Sequence, residues 1–139
     1  DLKINYLTVH ISSGLAALKA VKKVSRCKIV GVTTLTSLNN KDLKTIGYDR
    51  SVKSLVAHQA KLASKARLDA LVCSPYEVNI VRKIFKKEII TPGVQIGKRN
   101  YDQKRSMEAK DVKSDWMVIG RSVTNGNIKN NIQKLIKSL

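Results

Sequence analysis

The sequence predicts an α/β fold built on a parallel sheet. Three observations carry this reading. Five short runs are rich in aliphatic and β-branched residues, helical periodicity recurs between them, and the 139 residues suit one domain. Alternation of this kind argues for right-handed βαβ units. No Pro/Gly/Ser-rich linker divides the chain, so residues 1–139 are expected to form a single domain.

Residues 4–10 form the first expected strand. Ser12-Ser13-Gly14 follows, offering a Ser N-cap to a helix that opens at Leu15. Residues 28–35 are the second strand, apolar or β-branched almost throughout, as in strands covered on both faces. A helix over 51–66 places Val52, Leu55, Val56, Leu62, Ala63 and Ala66 on one face, which Gln59 interrupts. Residues 69–73 are the third strand, and 76–85 a helix with Val78, Val81, Ile84 and Phe85 as its stripe. Residues 88–91 form the fourth strand, stopped by Pro92-Gly93. Residues 93–105 read as the longest irregular loop, and 115–119 as the fifth strand, closed by Gly120. The final helix is expected to turn Ile128, Ile132, Leu135, Ile136 and Leu139 inward.

Composition narrows the function classes. With 27 Lys+Arg against 10 Asp+Glu the formal net charge is +17, a footprint compatible with nucleic acid. The lysines are spread along the whole chain, however, and four Tyr, one Trp and one Phe give little for base stacking. They read as solvated helix faces, with nucleic acid disfavoured as a partner. No apolar run approaches the ~18 residues of a membrane span, so no membrane partner is expected. Asp1-Leu2-Lys3-Ile4-Asn5 is unlike a signal peptide, and an initial Asp suggests that the chain began further upstream. Cys27 and Cys73 have no metal-site spacing and sit beside apolar runs, as buried thiols in a reducing cytoplasm would. His10 is read as a structural strand-end residue and His58 as a bystander on a helix.

Gly120-Arg121 directly after the last strand would bring a backbone N–H and a guanidinium to the strand's C-terminal mouth. Those are donors suited to a phosphate, and barrels often place phosphate sites after their last two strands. Alone the pair is weak. Six segments read in order are more specific: Val9-His10, Val32-Thr33-Thr34-Leu35-Thr36-Ser37, Val72-Cys73-Ser74-Pro75-Tyr76-Glu77, Thr91-Pro92-Gly93-Val94, Asp102-Gln103-Lys104-Arg105 and Val118-Ile119-Gly120-Arg121-Ser122-Val123-Thr124. Together they resemble the orotidine 5'-phosphate decarboxylase family.

That resemblance implies a partial TIM (β/α)8 barrel, with the five units here corresponding to strands four through eight. It implies a cofactor-free enzyme that converts orotidine 5'-monophosphate to UMP through a C6 carbanion protonated by a lysine. It also implies roles for particular residues. Thr36 would contact the pyrimidine or its neighbouring loop, Pro92 would line the pyrimidine pocket, and Gln103 would bridge base and phosphate. Gly120 and Arg121 would hold the phosphate. Each has a plainer reading: Thr36 as a helix N-cap or turn hydroxyl, Pro92-Gly93 as a turn, Gln103 as a loop amide.

The family's Asp-x-Lys-x-x-Asp signature is not matched. Asp1-Leu2-Lys3 lacks the helix that should separate it from the Val-His strand, and Tyr6 stands where the second Asp belongs. No catalytic residue is therefore assigned, and the chain is expected to be inactive alone. Gln95 replaces the usual Arg after Pro-Gly, and Ser122 the usual Pro after Gly-Arg. The expected partners are orotidine 5'-monophosphate or UMP, with a chain supplying the rest of the barrel or a second copy. A separately encoded half, a truncated product and a piece of a longer protein all fit. The alternative is a non-catalytic binding protein for a phosphorylated ligand or nucleic acid.

Overall fold

The structure is a computed structural model and describes residues 3–95 and 107–139. Five parallel strands form the main sheet in the order β1 (Tyr6–His10), β2 (Lys28–Val32), β3 (Ala70–Val72), β4 (Glu88–Thr91) and β7 (Trp116–Met117). Two two-residue strands, β5 (Val94–Gln95) and β6 (Met107–Glu108), pair separately and in parallel. They were not apparent in the sequence, where residues 93–105 read as loop. Two residues give no periodicity to detect.

Helices α1 (Leu15–Val24), α3 (Val52–Lys65) and α4 (Val78–Ile84) connect successive strands of the main sheet. Ile29, Leu71 and Ile89 stand on neighbouring strands in register. With Leu18, Val56, Ala63, Val81 and Phe85 from the helical layer they make one core, each no more than 2% exposed. Gly31 has the same parity: a Cβ there would lie 2.8 Å from Leu68 Cδ1 and 2.9 Å from Ile11 Cδ1. The opposite face carries Tyr6, Lys28, Val30, Ala70, Glu88 and Trp116, and much of it meets solvent, Trp116 being 56% exposed.

The helix expected over 51–66 is α3 with Ser51 as N-cap and Ala66 as C-cap. Its C-terminus closes by Arg67 N–H to Ser64 O (3.0 Å) and Leu68 N–H to Ala63 O (3.1 Å), the paired bonds of a Schellman motif. The αL position of that motif usually holds Gly; here it is Arg67, with φ 57°.

Several expectations are corrected. The second strand stops at Val32 rather than residue 35, and Thr33 makes its last ladder bond to Val72 O. The N-cap of α1 is Gly14, while Ser13 turns its hydroxyl back to donate to His10 O. His10 is exposed, because β1 is an edge strand and not a core one. Residues 75–77 form a 3-10 turn before α4. The sequence reading also passed over two helices, α2 (Asn40–Thr45) and α5 (Arg121–Thr124). The stripe of α6 (Ile128–Ser138) does not turn inward: Ile128 is 51% and Ile136 66% exposed, and no α6 residue is buried. That helix rests against α5 and the 3-10 turn Ala109–Asp111, which cover too little of it.

Candidate functional site

The C-terminal ends of β4 and β7 converge. Val118 N–H donates to Thr91 O at 2.9 Å, carrying the β4–β7 pairing one residue past the strands. Beyond that bond the two chains part, one into Pro92-Gly93 and β5, the other into Gly120 and α5. Gly93 takes φ 77°, a left-handed turn that suits glycine and lets its carbonyl accept Met107 N–H at 3.2 Å. Between the two segments lies a cavity of about 140 Å3 lined by Pro92, Gly93, Gln95, Gly120, Arg121 and Ser122, among others.

Three of the five residues singled out by resemblance, Pro92, Gly120 and Arg121, thus line one cavity. Gly120 is the N-cap of α5 and Arg121 its first residue, so the guanidinium starts from the cavity wall. Arg121 is exposed. Gln95, standing where the resemblance expects a cation, is also in the wall and only 5% exposed. Thr36 is not in this lining. It sits half-buried in the turn after β2, closed by Leu38 N–H to Leu35 O at 3.1 Å. The N-cap of α2 is Asn39, so the reading of Thr36 as a helix cap is set aside. Gln103 lies outside the described residues.

The turn bearing Thr36 is held from below by the residue that interrupts the apolar face of α3. Gln59, 6% exposed, accepts from Thr34 N–H at 2.9 Å and from the Thr34 hydroxyl at 3.1 Å, both on Oε1. The interruption of the apolar stripe of α3 is therefore a tether to the end of β2. A polar residue on a buried helix face needs a partner, and that requirement was the available signal.

A second polar group lies at the opposite end of the sheet. Lys28 donates to Glu88 Oε1 at 2.6 Å and to the Tyr6 hydroxyl at 3.1 Å, while Trp116 Nε1 donates to Glu88 Oε2 at 3.1 Å. Ala70 of β3 is small enough to let the ion pair span it. The hydrogen bond to Glu88, then that to Tyr6, raises the Lys28 ammonium above its ordinary pKa. The bond from Lys28 holds Glu88 low despite partial desolvation. At the N-terminal ends of barrel strands, such groups serve stability. No cluster of His, Cys, Asp and Glu able to hold a metal occurs among the described residues, nor any helix long and apolar enough to cross a membrane.

A parallel α/β sheet with a cavity at the C-terminal mouth of its last two strands defines the class as barrel-type α/β. Comparison with known proteins gives the family. The model of the orotidine 5'-phosphate decarboxylase / HUMPS family matches residues 1–134, and the chain belongs to that family. It is 42% identical to the orotidine 5'-phosphate decarboxylase of Wolbachia sp. subsp. Brugia malayi (strain TRS), over 99% of this chain and 65% of that protein. It is 39% identical to the Buchnera aphidicola subsp. Schizaphis graminum enzyme, over 97% of this chain and 61% of that one. Among solved structures, the orotidine 5'-phosphate decarboxylase of Lactobacillus acidophilus superposes with a TM-score of 0.78 at 24% identity, covering 97% of this chain and 63% of its own. The enzyme from Methanocaldococcus jannaschii, complexed with inhibitor BMP, gives 0.71 at 21% identity, over 97% of this chain and 61% of that one. The fold is therefore that of part of a (β/α)8 barrel, and the chain spans under two thirds of the length of these relatives.

Proposed function

We propose that this chain carries the phosphate- and pyrimidine-binding side of an orotidine 5'-monophosphate decarboxylase site. The proton-transfer side belongs to βα units outside these 139 residues. The observation behind this reading is the cavity in which Pro92-Gly93 and Gly120-Arg121 meet. Arg121 would hold the substrate phosphate through paired, charge-assisted N–H donors, and Pro92 would pack on the pyrimidine. Gln103 would bridge base and phosphate, and Thr36 would approach the ring from the β2 turn. Phosphate binding remote from the reacting carbon can be used to orient the ring, since only interactions that favour the transition state raise the rate.

The reaction in question is loss of CO2 from orotidine 5'-monophosphate, leaving a C6 carbanion that a lysine protonates to give UMP, a step of pyrimidine biosynthesis. It needs no cofactor. Lys3 does not supply the proton: it leads straight into β1 with no helix between, and Tyr6 occupies the place of the second aspartate. Strands that complete the barrel would cover the open edges β1 and β7 and the exposed stripe of α6. A preceding segment of a longer protein, a partner chain or a second copy would supply that cover. The free thiols Cys27 and Cys73 suit a cytoplasmic setting. The test is turnover of orotidine 5'-monophosphate by the purified 139-residue chain. No conversion above a buffer control is expected; conversion would show that a proton donor is present within it.

A further inference from the structure

Helices that follow parallel strands return their C-terminal ends to the start of the sheet, away from the Pro92–Arg121 cavity. Cations gather there. A depression of about 430 Å3 is lined by Lys19, Lys22 and Lys23 of α1, with Lys65, Ala66 and Arg67 at the end of α3. Arg67 also lines an adjoining depression of about 260 Å3, which Lys86 and Lys87 border. The lysines that look dispersed in sequence are therefore brought together by the fold. Asp69 stands among them and pairs with Lys22 at 2.5 Å and Lys87 at 3.7 Å. Among the described residues, Lys19, Lys23, Lys65 and Arg67 have no carboxylate partner. The C-terminal dipoles of α1 and α3 offset only about half a charge each.

The surface is concave, and its larger apolar side chains, Leu68 and Phe85, are 0% and 2% exposed. It therefore offers neither a ring for stacking a base nor an anchor to insert into a bilayer. What it offers is a row of cations along a groove, matched by a repeating phosphate. We infer that this face binds single-stranded nucleic acid through its phosphodiester backbone, without base selectivity. The inference does not depend on the reading of the decarboxylase site.

The probe is a fluorescein-labelled single-stranded RNA of about 20 nucleotides, longer than the ~4–16 nucleotides that single-strand binders commonly cover. Anisotropy is followed over a salt series with the full chain. Two triple variants with equal loss of charge are compared, Lys19→Glu/Lys23→Glu/Lys65→Glu at the groove and Lys129→Glu/Lys134→Glu/Lys137→Glu on α6. All six side chains are exposed. Circular dichroism checks both for folding, and a Gln triple at the groove repeats the test without introduced acid. The groove variant should bind at least about tenfold more weakly, with a log–log salt slope shallower by about 2, given about 0.7 per phosphate contact on single strands. The α6 variant should stay within about twofold of the parent, and UMP should not compete. Equal losses in the two variants would overturn the inference in favour of diffuse net charge. So would failure of the parent to bind at low salt, or displacement of the RNA by UMP.

Discussion

Asp69 and Asp115 do the same work at the starts of two strands. Asp69 accepts the backbone N–H of Ile29 at 2.8 Å and pairs with Lys22 at 2.5 Å; Asp115 accepts Ile89 N–H at 2.7 Å and pairs with Arg82 at 2.5 Å. Each carboxylate ties the neighbouring strand to the helix that leads into that strand. The device closes the parallel ladder at its lower end: the Lys28 N–H is paired with Asn5 O, and the second N–H of β2 and of β4, at Ile29 and Ile89, finds its acceptor in a carboxylate.

Asp69→Ala removes the acceptor of a part-buried N–H and is expected to cost about 1–3 kcal/mol in urea unfolding. The Asp115→Ala loss should be smaller, because that side chain is 44% exposed and water can replace it.

The two carboxylates also predict acid sensitivity. Desolvation works to raise the Asp69 carboxyl, but Lys22, the Ile29 N–H and Lys87 outweigh it and hold its pKa below the ordinary 3.8. Asp115 is lowered likewise, with Arg82 and the Ile89 N–H overcoming desolvation. A depressed carboxyl contributes stability that is present above its unfolded pKa and is lost as pH falls through the folded one. Stability should therefore hold down to about pH 4 and decline below it. Asp69→Asn should flatten that decline, and an unchanged acid limb in thermal melts would argue against it.

Arg67 at φ 57° carries backbone strain that glycine would not. Arg67→Gly is expected to stabilise the fold by about 1 kcal/mol by relieving the left-handed conformation. The same change should weaken RNA binding, a pairing of opposite effects that chemical denaturation and anisotropy read separately.

Gly31 faces the helices, with Leu68 Cδ1 and Ile11 Cδ1 within 2.9 Å of the Cβ it lacks. Gly31→Val should cost about 1–3 kcal/mol through overpacking, and Gly31→Ala less, since both neighbours are side-chain ends. Guanidinium unfolding checks the order.

Gln59→Leu removes the acceptor that two Thr34 donors share, for an expected loss of about 1–3 kcal/mol. It should also loosen the turn bearing Thr36, read as weaker UMP binding than the stability loss accounts for.

The elements legible in the sequence are those with long or strong patterns. Helix α3 is read almost to the residue, because Ser51 caps it and its apolar period runs for four turns. The strands are read by their β-branched runs, although their ends are longer in sequence than in the sheet, where pairing and not propensity decides the length. Helix α2 escaped for want of a stripe: Leu43 is its one buried residue, although Asn39 and Asp42 form a capping box that spacing alone could have shown. The stripe of α6 is real as a pattern, but its burial depends on neighbours that periodicity does not name. At the site, Pro92, Gly120 and Arg121 are legible through motif resemblance. Gln59 is legible as the polar break in the α3 stripe, but its partner Thr34, 25 positions away, is not.

The central claim is that Arg121 completes a working phosphate site within this chain. The most direct measurement is a calorimetric titration with UMP of the parent and of Arg121→Ala, with circular dichroism confirming that both fold. The account predicts saturable binding by the parent and a loss of at least about tenfold in the variant, as for a charge-assisted contact worth ~1.5–3 kcal/mol. Equal binding by parent and variant, or none by a well-folded parent, would contradict it.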